Sequence, residues 1–415
     1  MILRRGNIHK MYFAFLLLAW MFLFRQYLLG WNISGDPILL QSTPENHVEL
    51  KNQIETILTD GLFETTEREK IEDIIDLSDQ LLMSKGPFEF LWNFKNPCFL
   101  SDESGIRCLP YFHIIGGEKC GTTDLFYRLK LHPEISWEHE KSINYFHLKR
   151  FATGINHWTF ERYLGQFSES AQVIGTTFSM EHCSESVKKC AYHPIITGDG
   201  SAQMLGDKQY KFFSNNITQK EPNLTNADIL FHLNPKTKFI IILRNPIERA
   251  YSDYYFNSWY RGLFTASLEH FHTTMAEQIS NFTTCCQTAS IISCAYKHGD
   301  VPYKERILRH GIYYIFVKDW LRVFPREQIL ILRFEDMTKN KRQIYRQIQT
   351  FLGIRQLSTA EEDRVMSQPI MNQRPLKLRL IGDMYPKTRV LLEKFYAPHN
   401  AELARFLKDS RFLWH

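Results

Sequence analysis

The sequence predicts an α/β fold, a three-layer sandwich with a central parallel sheet. Three apolar segments, at 111–115, 238–243 and 328–334, have the continuous hydrophobicity of strands that are buried on both faces. Each is followed by a segment in which apolar residues recur at helical spacing. Strands that alternate with helices are typical of parallel sheets covered on both sides.

The helices that follow these strands have recognisable limits. The first begins near Thr122 or Thr123 and is ended by His132-Pro133, because the residue before a proline disfavours helical geometry. A polar stretch at 183–226 predicts an insertion or surface region. The predicted helices span 122–131, 248–259 and 341–352.

The N-terminal segment predicts a membrane anchor. The run 11–24 is uncharged, and with Arg25 reaching toward the interface a helix can extend to the roughly 20 residues that a bilayer needs. Basic residues precede the run and no small-residue cleavage site follows it, which favours an uncleaved signal anchor with a cytosolic N-terminus. We expect a cytosolic tail at 1–10, a transmembrane anchor at 11–31, an acidic helical stem at 32–91 and a lumenal domain at 92–415.

Cysteine pairs and glycosylation motifs agree with a lumenal location. Close spacing among the eight cysteines predicts local disulfides in an oxidising compartment. Cys120 is predicted to be a small buried hydrophobic residue. The predicted pairs are Cys98 with Cys108, Cys183 with Cys190, and Cys294 with either Cys285 or Cys286. The Asn-x-Ser/Thr motifs are at Asn32, Asn216, Asn223 and Asn281.

The stretch "YFHIIGGEKCGTTDLFYRL", at 111–129, predicts a strand, a glycine-rich loop and the start of a helix. Backbone N–H groups in such a loop bind phosphate or sulfate, and the net charge of +5 is compatible with an anionic ligand. Lys119 precedes the last glycine, whereas the lysine of a Walker A loop follows it, so a Mg-NTP site is disfavoured. The predicted ligand-binding residues are Gly117, Lys119, Cys120, Gly121, Thr122 and Thr123.

A second anion-binding pair follows the second predicted strand. Arg244 stands at the carboxyl end of that strand, where open α/β sheets bind their ligands. Ser252 lies eight residues further on, in the following helix. An arginine fork and a hydroxyl together can hold a second phosphate.

Together these segments resemble the superfamily of sulfotransferases that use 3′-phosphoadenosine-5′-phosphosulfate (PAPS). The resemblance implies that the first loop holds the 5′-phosphosulfate, with Lys119 as a catalytic residue, and that Arg244 and Ser252 hold the 3′-phosphate, without a metal. Longer matches extend from about Trp92 to the C-terminus and are similar to Golgi carbohydrate sulfotransferases of type II topology. They include "KNPCF" at 95–99, "RNPIERAYSDYYF" at 244–256 and "YAPHNAELARFL" at 396–407.

The resemblance also exposes a departure at the predicted general base. Relatives often carry Lys-Glu before aromatic residues, but here the stretch at 138–146, "EHEKSINYF", has Lys141 followed by Ser142. Serine is not a base unaided, so Glu140 is the first substitute and is, with Lys141, a predicted catalytic residue. Glu138, His139 and a binding-only protein without turnover remain alternatives.

Two further segments are predicted to line the cleft. Asp199 and Ser201, with Lys141, are predicted to contact the acceptor, although Asp199 could simply build a glycine turn. Arg374 and Lys377 are predicted to reach the 3′-phosphate, or else to form a solvated basic face. Lys141, Lys149 and Arg150 are candidates for a cationic acceptor groove.

The resulting expectation is a Golgi-membrane enzyme that moves a sulfonate from PAPS to a glycosaminoglycan. By resemblance, the leading acceptor is the 6-hydroxyl of N-acetylgalactosamine 4-sulfate in chondroitin or dermatan sulfate. The alternatives are heparan sulfate, a uronic acid 2-hydroxyl, and a PAPS- or glycan-binding pseudoenzyme. The resemblance implies no nucleic-acid partner and is compatible with a homodimer.

Overall fold

The computed structural model describes the greater part of the predicted lumenal domain. No helix among the described residues is long and apolar enough to cross a bilayer. The described residues are 78–101, 105–152, 156–176, 193–206, 221, 224–261, 265–296, 306–372 and 381–414. The predicted tail, anchor and most of the stem lie outside them, as do Asn32, Cys183, Cys190, Asn216, Asn223, Arg374 and Lys377.

A parallel four-stranded sheet forms the centre of the fold, in the order β4-β3-β5-β6. The three predicted strands are confirmed as β3, β5 and β6, with ends that differ from the predicted ones by at most one residue. An antiparallel hairpin, β1-β2, precedes the sheet. The strands are β1 Cys98–Ser101, β2 Gly105–Cys108, β3 Phe112–Gly116, β4 Gly198–Asp199, β5 Lys238–Leu243 and β6 Ile329–Arg333.

Successive residues of the central strands point into two different hydrophobic clusters. Ile240 and Ile242 of β5 pack into one, and Phe239, Ile241 and Leu243 pack into the other. Because both faces of the sheet are covered, the strands are apolar at every position rather than at alternate ones. The predicted three-layer α/β sandwich is therefore confirmed.

The helices cover the two faces of this sheet. The predicted helix at 341–352 has the predicted bounds, the one at 122–131 ends two residues earlier, and the one at 248–259 is longer at both ends. Residues 78–83 of the predicted stem are also helical. The helices are α1 Thr122–Leu129, α2 Phe160–Gly165, α3 Ser168–Thr176, α4 Asn226–Leu233, α5 Pro246–Arg261, α6 Leu268–Thr288, α7 Ile291–Tyr296, α8 Arg306–Arg309, α9 Tyr313–Val323, α10 Phe334–Lys339, α11 Lys341–Leu352, α12 Thr359–Met366 and α13 Pro386–Leu407.

Two of the predicted disulfides lie in the described part of the chain. Cys98 and Cys108 join β1 to β2, with an S–S distance of 2.04 Å. Cys285 of α6 joins Cys294 of α7, with an S–S distance of 2.06 Å. The partner of Cys294 is therefore Cys285 rather than Cys286, which is a half-buried thiol.

Candidate functional site

The glycine-rich loop leads from β3 directly into the N-terminus of α1. Gly121 is the N-cap residue of α1, has a φ of 84° and supplies no side chain to cap the helix. The N–H groups of the first turn are therefore offered to a ligand rather than to a capping side chain. Thr122 is buried and Thr123 is half-buried beside them. The predicted sequence of strand, glycine-rich loop and helix is thus confirmed, and anion binding by the loop stays a prediction.

Lys119 projects from this loop against an aromatic ring. Its Nζ atom lies 3.7 Å from the centre of the Phe256 ring of α5. Burial lowers the pKa of the Lys119 ammonium, while the carboxylates of Asp253 and Glu118 oppose that shift. A desolvated cation interacts more strongly with a bound anion than a hydrated one does.

The structure brings Arg244 to the same loop. Arg244 follows β5, and its guanidinium donates a hydrogen bond to the Lys119 carbonyl at 3.3 Å and lies over the Phe334 ring at 4.9 Å. The Tyr313 hydroxyl holds the Arg244 carbonyl at 2.9 Å. Ser252 is half-buried on α5, the helix that follows Arg244. The two predicted anion-binding segments are thus adjacent at the carboxyl ends of neighbouring strands.

Gly117 and Cys120 shape the loop from within. The Gly117 N–H donates to the Ile242 carbonyl of β5, and the Cys120 N–H donates to the Gly117 carbonyl at 3.2 Å. The Cys120 side chain is fully buried, and burial raises the pKa of its thiol to about 11. The thiol is a packing group, as predicted, so any contact of Cys120 with a ligand would come from its backbone.

Lys141 is a second, half-buried lysine near this loop. Its Nζ donates to the Ser142 hydroxyl at 3.1 Å, and it interacts electrostatically with Glu118, Asp199 and Lys119. Burial lowers the pKa of the Lys141 ammonium to about 8. Two lysines therefore converge on one region, as an anionic donor group requires.

Asp199 and Ser201 form a buried hydrogen-bond network behind Lys141. The Asp199 carboxylate has no exposed surface and accepts hydrogen bonds from Ser201 Oγ at 2.6 Å and Tyr163 OH at 3.2 Å. Ser201 Oγ in turn accepts from the Asn144 N–H at 2.9 Å. Burial raises the pKa of Asp199 to about 6. The described contacts of this pair position the loop that carries Lys141; their predicted contact with an acceptor stays a prediction.

The sequence-predicted bases differ sharply in their surroundings. Glu138 and Glu140 are exposed to solvent. His139 is buried, and its Nε2 accepts a hydrogen bond from Trp137 Nε1 at 2.5 Å. Burial lowers the pKa of His139 to about 3, so it remains neutral at physiological pH. His139 is a core residue, and its role as a base is not supported by this position.

The predicted cationic groove needs one correction. Arg150 is buried, pairs with Asp79 and donates to the Phe146 carbonyl at 2.9 Å, so it is committed to the core. Lys149 is half-buried, with its Nζ 3.5 Å from the centre of the Trp158 ring. Among the three candidates, Lys141 and Lys149 remain available to an acceptor.

Sequence reasoning missed Glu118, which lies inside the loop beside Lys119. Its two carboxylate oxygens accept hydrogen bonds from Gln203 Nε2 and from His310 Nδ1, the latter at 3.1 Å. The available signal was a second charged residue, next to Lys119, in a loop whose other residues are small. Its partners could not be read from the sequence, because they are 85 and 192 residues away.

Glu118, His310 and Asp253 also have the donor atoms of a metal site. One ligand atom of each lies within 4.8 Å of the others. However, Arg249 donates to Asp253 at 3.2 Å, and both Lys119 and Lys141 interact with Glu118. These positive charges already balance the carboxylates, which disfavours a further cation.

This site belongs to a known class. Residues 111–373 match the model of the sulfotransferase domain, so the chain belongs to the sulfotransferase family. Within that family it is similar to carbohydrate sulfotransferase 15 from Mus musculus and from Homo sapiens, as the sequence resemblance predicted. The identity to each is 35% over 317 residues, which covers 74% of this chain and 55% of the relative. The chain therefore spans about half the length of these curated relatives.

The chain is also similar to more distant proteins. The chain is 23% identical to the human bifunctional heparan sulfate N-deacetylase/N-sulfotransferase 2, over 76% of this chain and 32% of that protein. A crystal structure of a sulfotransferase from Alicyclobacillus acidocaldarius is 22% identical, covers 72% of this chain and 96% of its own, and has a TM-score of 0.41. The fold assignment above depends on the strand order itself.

The residues present fit a PAPS-type co-substrate. The start of α1 has an uncapped helix N-terminus and two threonine hydroxyls, and Lys119 stands two residues before its N-cap residue. Arg244, which donates to the Lys119 carbonyl, provides a second cationic group beside this loop. Neighbouring cationic groups at a helix N-terminus suit a nucleotide that carries more than one anionic group.

Proposed function

We propose that this chain is a carbohydrate sulfotransferase that moves a sulfonate from PAPS to a glycan hydroxyl. The observation that carries the proposal is the convergence of Lys119 and Arg244 on the uncapped N-terminus of α1. The 35% identity to carbohydrate sulfotransferase 15 supports a sugar acceptor. The leading acceptor is the 6-hydroxyl of N-acetylgalactosamine 4-sulfate in chondroitin or dermatan sulfate.

Each group of residues has a role in this proposal. The loop at 117–123 holds the 5′-phosphosulfate through backbone N–H groups and threonine hydroxyls. Arg244 and Ser252 hold the 3′-phosphate, with Arg374 and Lys377 as further contacts from outside the described residues. When bound, PAPS supplies a sulfonate already attached to a good leaving group.

Lys119 and Lys141 carry the electrostatic part of the reaction. Lys119 neutralises the charge that develops on the departing 5′-phosphate oxygen, and Lys141 orients the sulfonate oxygens toward the acceptor. Fixed charges in a partly desolvated site stabilise developing charge without the reorganisation that water would need. Because the transferred group is loosely bonded at the transition state, alignment and charge neutralisation supply most of the catalysis.

The proposed location is the Golgi membrane, with the catalytic domain in the lumen and a signal anchor at 11–31. The Cys98–Cys108 and Cys285–Cys294 disulfides support an oxidising compartment. Asn281 is exposed on α6, where a glycan could be attached. A homodimer is compatible with this proposal, and a nucleic-acid partner is not part of it.

The direct test is sulfonate transfer by the full chain in detergent extracts, with radiolabelled PAPS as donor. The acceptors are chondroitin 4-sulfate, desulfated chondroitin, dermatan sulfate and heparan sulfate. Label at position 6 of the 4-sulfated N-acetylgalactosamine supports the leading acceptor. Transfer only to heparan sulfate, or to a uronic acid 2-hydroxyl, supports the same chemistry on another glycan. Binding of the product nucleotide without transfer to any acceptor supports a pseudoenzyme.

A further inference from the structure

We propose that Glu118 is the general base of this enzyme and replaces the glutamate that relatives carry at the position of Ser142. The inference rests on the proposed function, because a base is needed only if a sugar hydroxyl is the acceptor. It assigns a catalytic role to a residue of the donor loop itself. Gln203 and His310 then act as positioning residues.

Ser142 leaves the base position without a proton acceptor of suitable strength. Its hydroxyl already accepts a hydrogen bond from Lys141 at 3.1 Å. An uncharged serine oxygen beside an ammonium group is a poorer base than a carboxylate by many pKa units. Another side chain must therefore receive the proton of the acceptor hydroxyl.

Glu118 belongs to the loop that carries Lys119, and it interacts electrostatically with both lysines assigned to the transferred sulfonate. It is adjacent to Lys119 in the loop, and its charge is among the strongest electrostatic influences on both Lys119 and Lys141. A carboxylate in that position is close to the reacting atoms without a movement of the loop. The exposed Glu140, by contrast, can reach the site only if its loop shifts.

The orientation of the Glu118 carboxylate is fixed on both oxygens. Gln203 donates to Oε1, and His310 donates from Nδ1 to Oε2 at 3.1 Å. Gln203 is itself held by His147, whose Nε2 lies 2.5 Å from Gln203 Oε1. Such a held carboxylate is prepared for proton transfer.

The Glu118 side chain is protected but still reachable. It is 16% exposed, and His310 is 14% exposed. A buried residue without any surface could not meet a polymeric acceptor, and an exposed one would be solvated and mobile. The partial exposure of Glu118 fits a group at the floor of an acceptor cleft.

The step is balanced without a further reactant. The acceptor hydroxyl oxygen forms a bond to sulfur as the bond from sulfur to the 5′-phosphate oxygen breaks. The electron pair of the broken bond remains on that phosphate oxygen, next to Lys119. The hydroxyl proton passes to a Glu118 carboxylate oxygen and is later released to water.

The test compares Glu118→Gln with Glu140→Gln in the full chain. We expect Glu118→Gln to lower kcat by about 10²- to 10⁴-fold, the usual contribution of a general base. Glu140→Gln should lower kcat much less than Glu118→Gln does, and the control Glu169→Gln, at an exposed glutamate of α3, should retain activity within about twofold. Calorimetry with the product nucleotide PAP should show unchanged or tighter binding to Glu118→Gln, because a negative charge near two lysines is removed.

A relocated base provides a second readout. Introducing Ser142→Glu into the Glu118→Gln variant should raise kcat about tenfold or more above that of Glu118→Gln alone, since the new carboxylate occupies the position used by relatives. This rescue would also show that the Glu118→Gln variant folds. Loss of PAP binding in Glu118→Gln, without rescue, would overturn the inference in favour of a structural role for Glu118.

The inference and the proposed function fail in different ways. An active wild type with a fully active Glu118→Gln variant, or with an inactive Glu140→Gln variant, would overturn the inference alone. A divalent-cation requirement that disappears in Glu118→Gln would also overturn it, because Glu118 would then be a metal ligand. A wild type that binds PAP but transfers sulfonate to no acceptor would overturn both.

Discussion

Replacing Gly121 by alanine should destabilise the fold in two ways, through a strained backbone conformation and through a steric clash. Gly121 has a φ of 84°, and a Cβ atom there would lie 2.8 Å from Met337 Cε and 2.9 Å from the Phe334 ring. A left-handed conformation costs a non-glycine residue about 1–2 kcal/mol. Packing the added methyl group against Phe334 and Met337 raises that cost by about 1–3 kcal/mol. We therefore expect Gly121→Ala to lower the free energy of unfolding by about 2–5 kcal/mol.

Gly105→Ala is the matched control for this change. Gly105 also has a positive φ, of 70°, but a Cβ there would meet nothing within 4 Å. It should therefore lose only the conformational part, about 1–2 kcal/mol. Urea unfolding measures both variants, and calorimetry measures PAP binding, which Gly121→Ala should weaken because the start of α1 must move. Equal destabilisation by the two substitutions, with PAP binding unchanged, would refute the close approach of α10 to the donor loop.

Three other changes test separate parts of the account. Lys119→Ala should lower sulfonate transfer by about 10²- to 10³-fold in a labelled-PAPS assay, whereas the exposed lysine control Lys339→Ala should have no effect. Burial lowers the pKa of His139 to about 3, so the folded protein keeps this histidine neutral while the unfolded chain binds a proton as the pH falls below about 6.5. The free energy of unfolding should therefore decrease between pH 7 and pH 5. In urea unfolding at these two pH values, we expect that decrease to be about 2 kcal/mol larger in wild type than in His139→Gln. Replacing Cys98 and Cys108 together by alanine should cost about 2–3 kcal/mol in urea unfolding, because the disulfide closes a short loop; no loss would mean that β1 and β2 hold together without it.

The central architecture could be predicted because its signals are local. A strand buried on both faces must be apolar at every position, and β5 and β6 show this in a few consecutive residues. The donor loop was predictable for the same reason, since the glycines, Lys119 and the threonines are contiguous. Arg244 was found because its place at the end of β5 follows from the strand assignment.

The remaining features depend on contacts between distant segments. The two-residue strand β4 is too short for a hydrophobic pattern, so the sequence did not show that Asp199 is fully buried beside β3. Glu118 acquires its importance from Gln203 and His310, which no spacing rule connects to the loop. Arg150 was expected at the surface because charged residues usually are, but Asp79 pairs with it in the core.

The most direct test of the central claim is transfer of radiolabelled sulfonate from PAPS to chondroitin 4-sulfate by the full chain. We expect label on the 6-hydroxyl of the 4-sulfated N-acetylgalactosamine, and its loss in the Lys119→Ala variant but not in Lys339→Ala. The assignment of a Lys119-dependent carbohydrate sulfotransferase would be wrong if transfer survived Lys119→Ala undiminished, or if a wild type that binds PAP transferred sulfonate to no glycan acceptor.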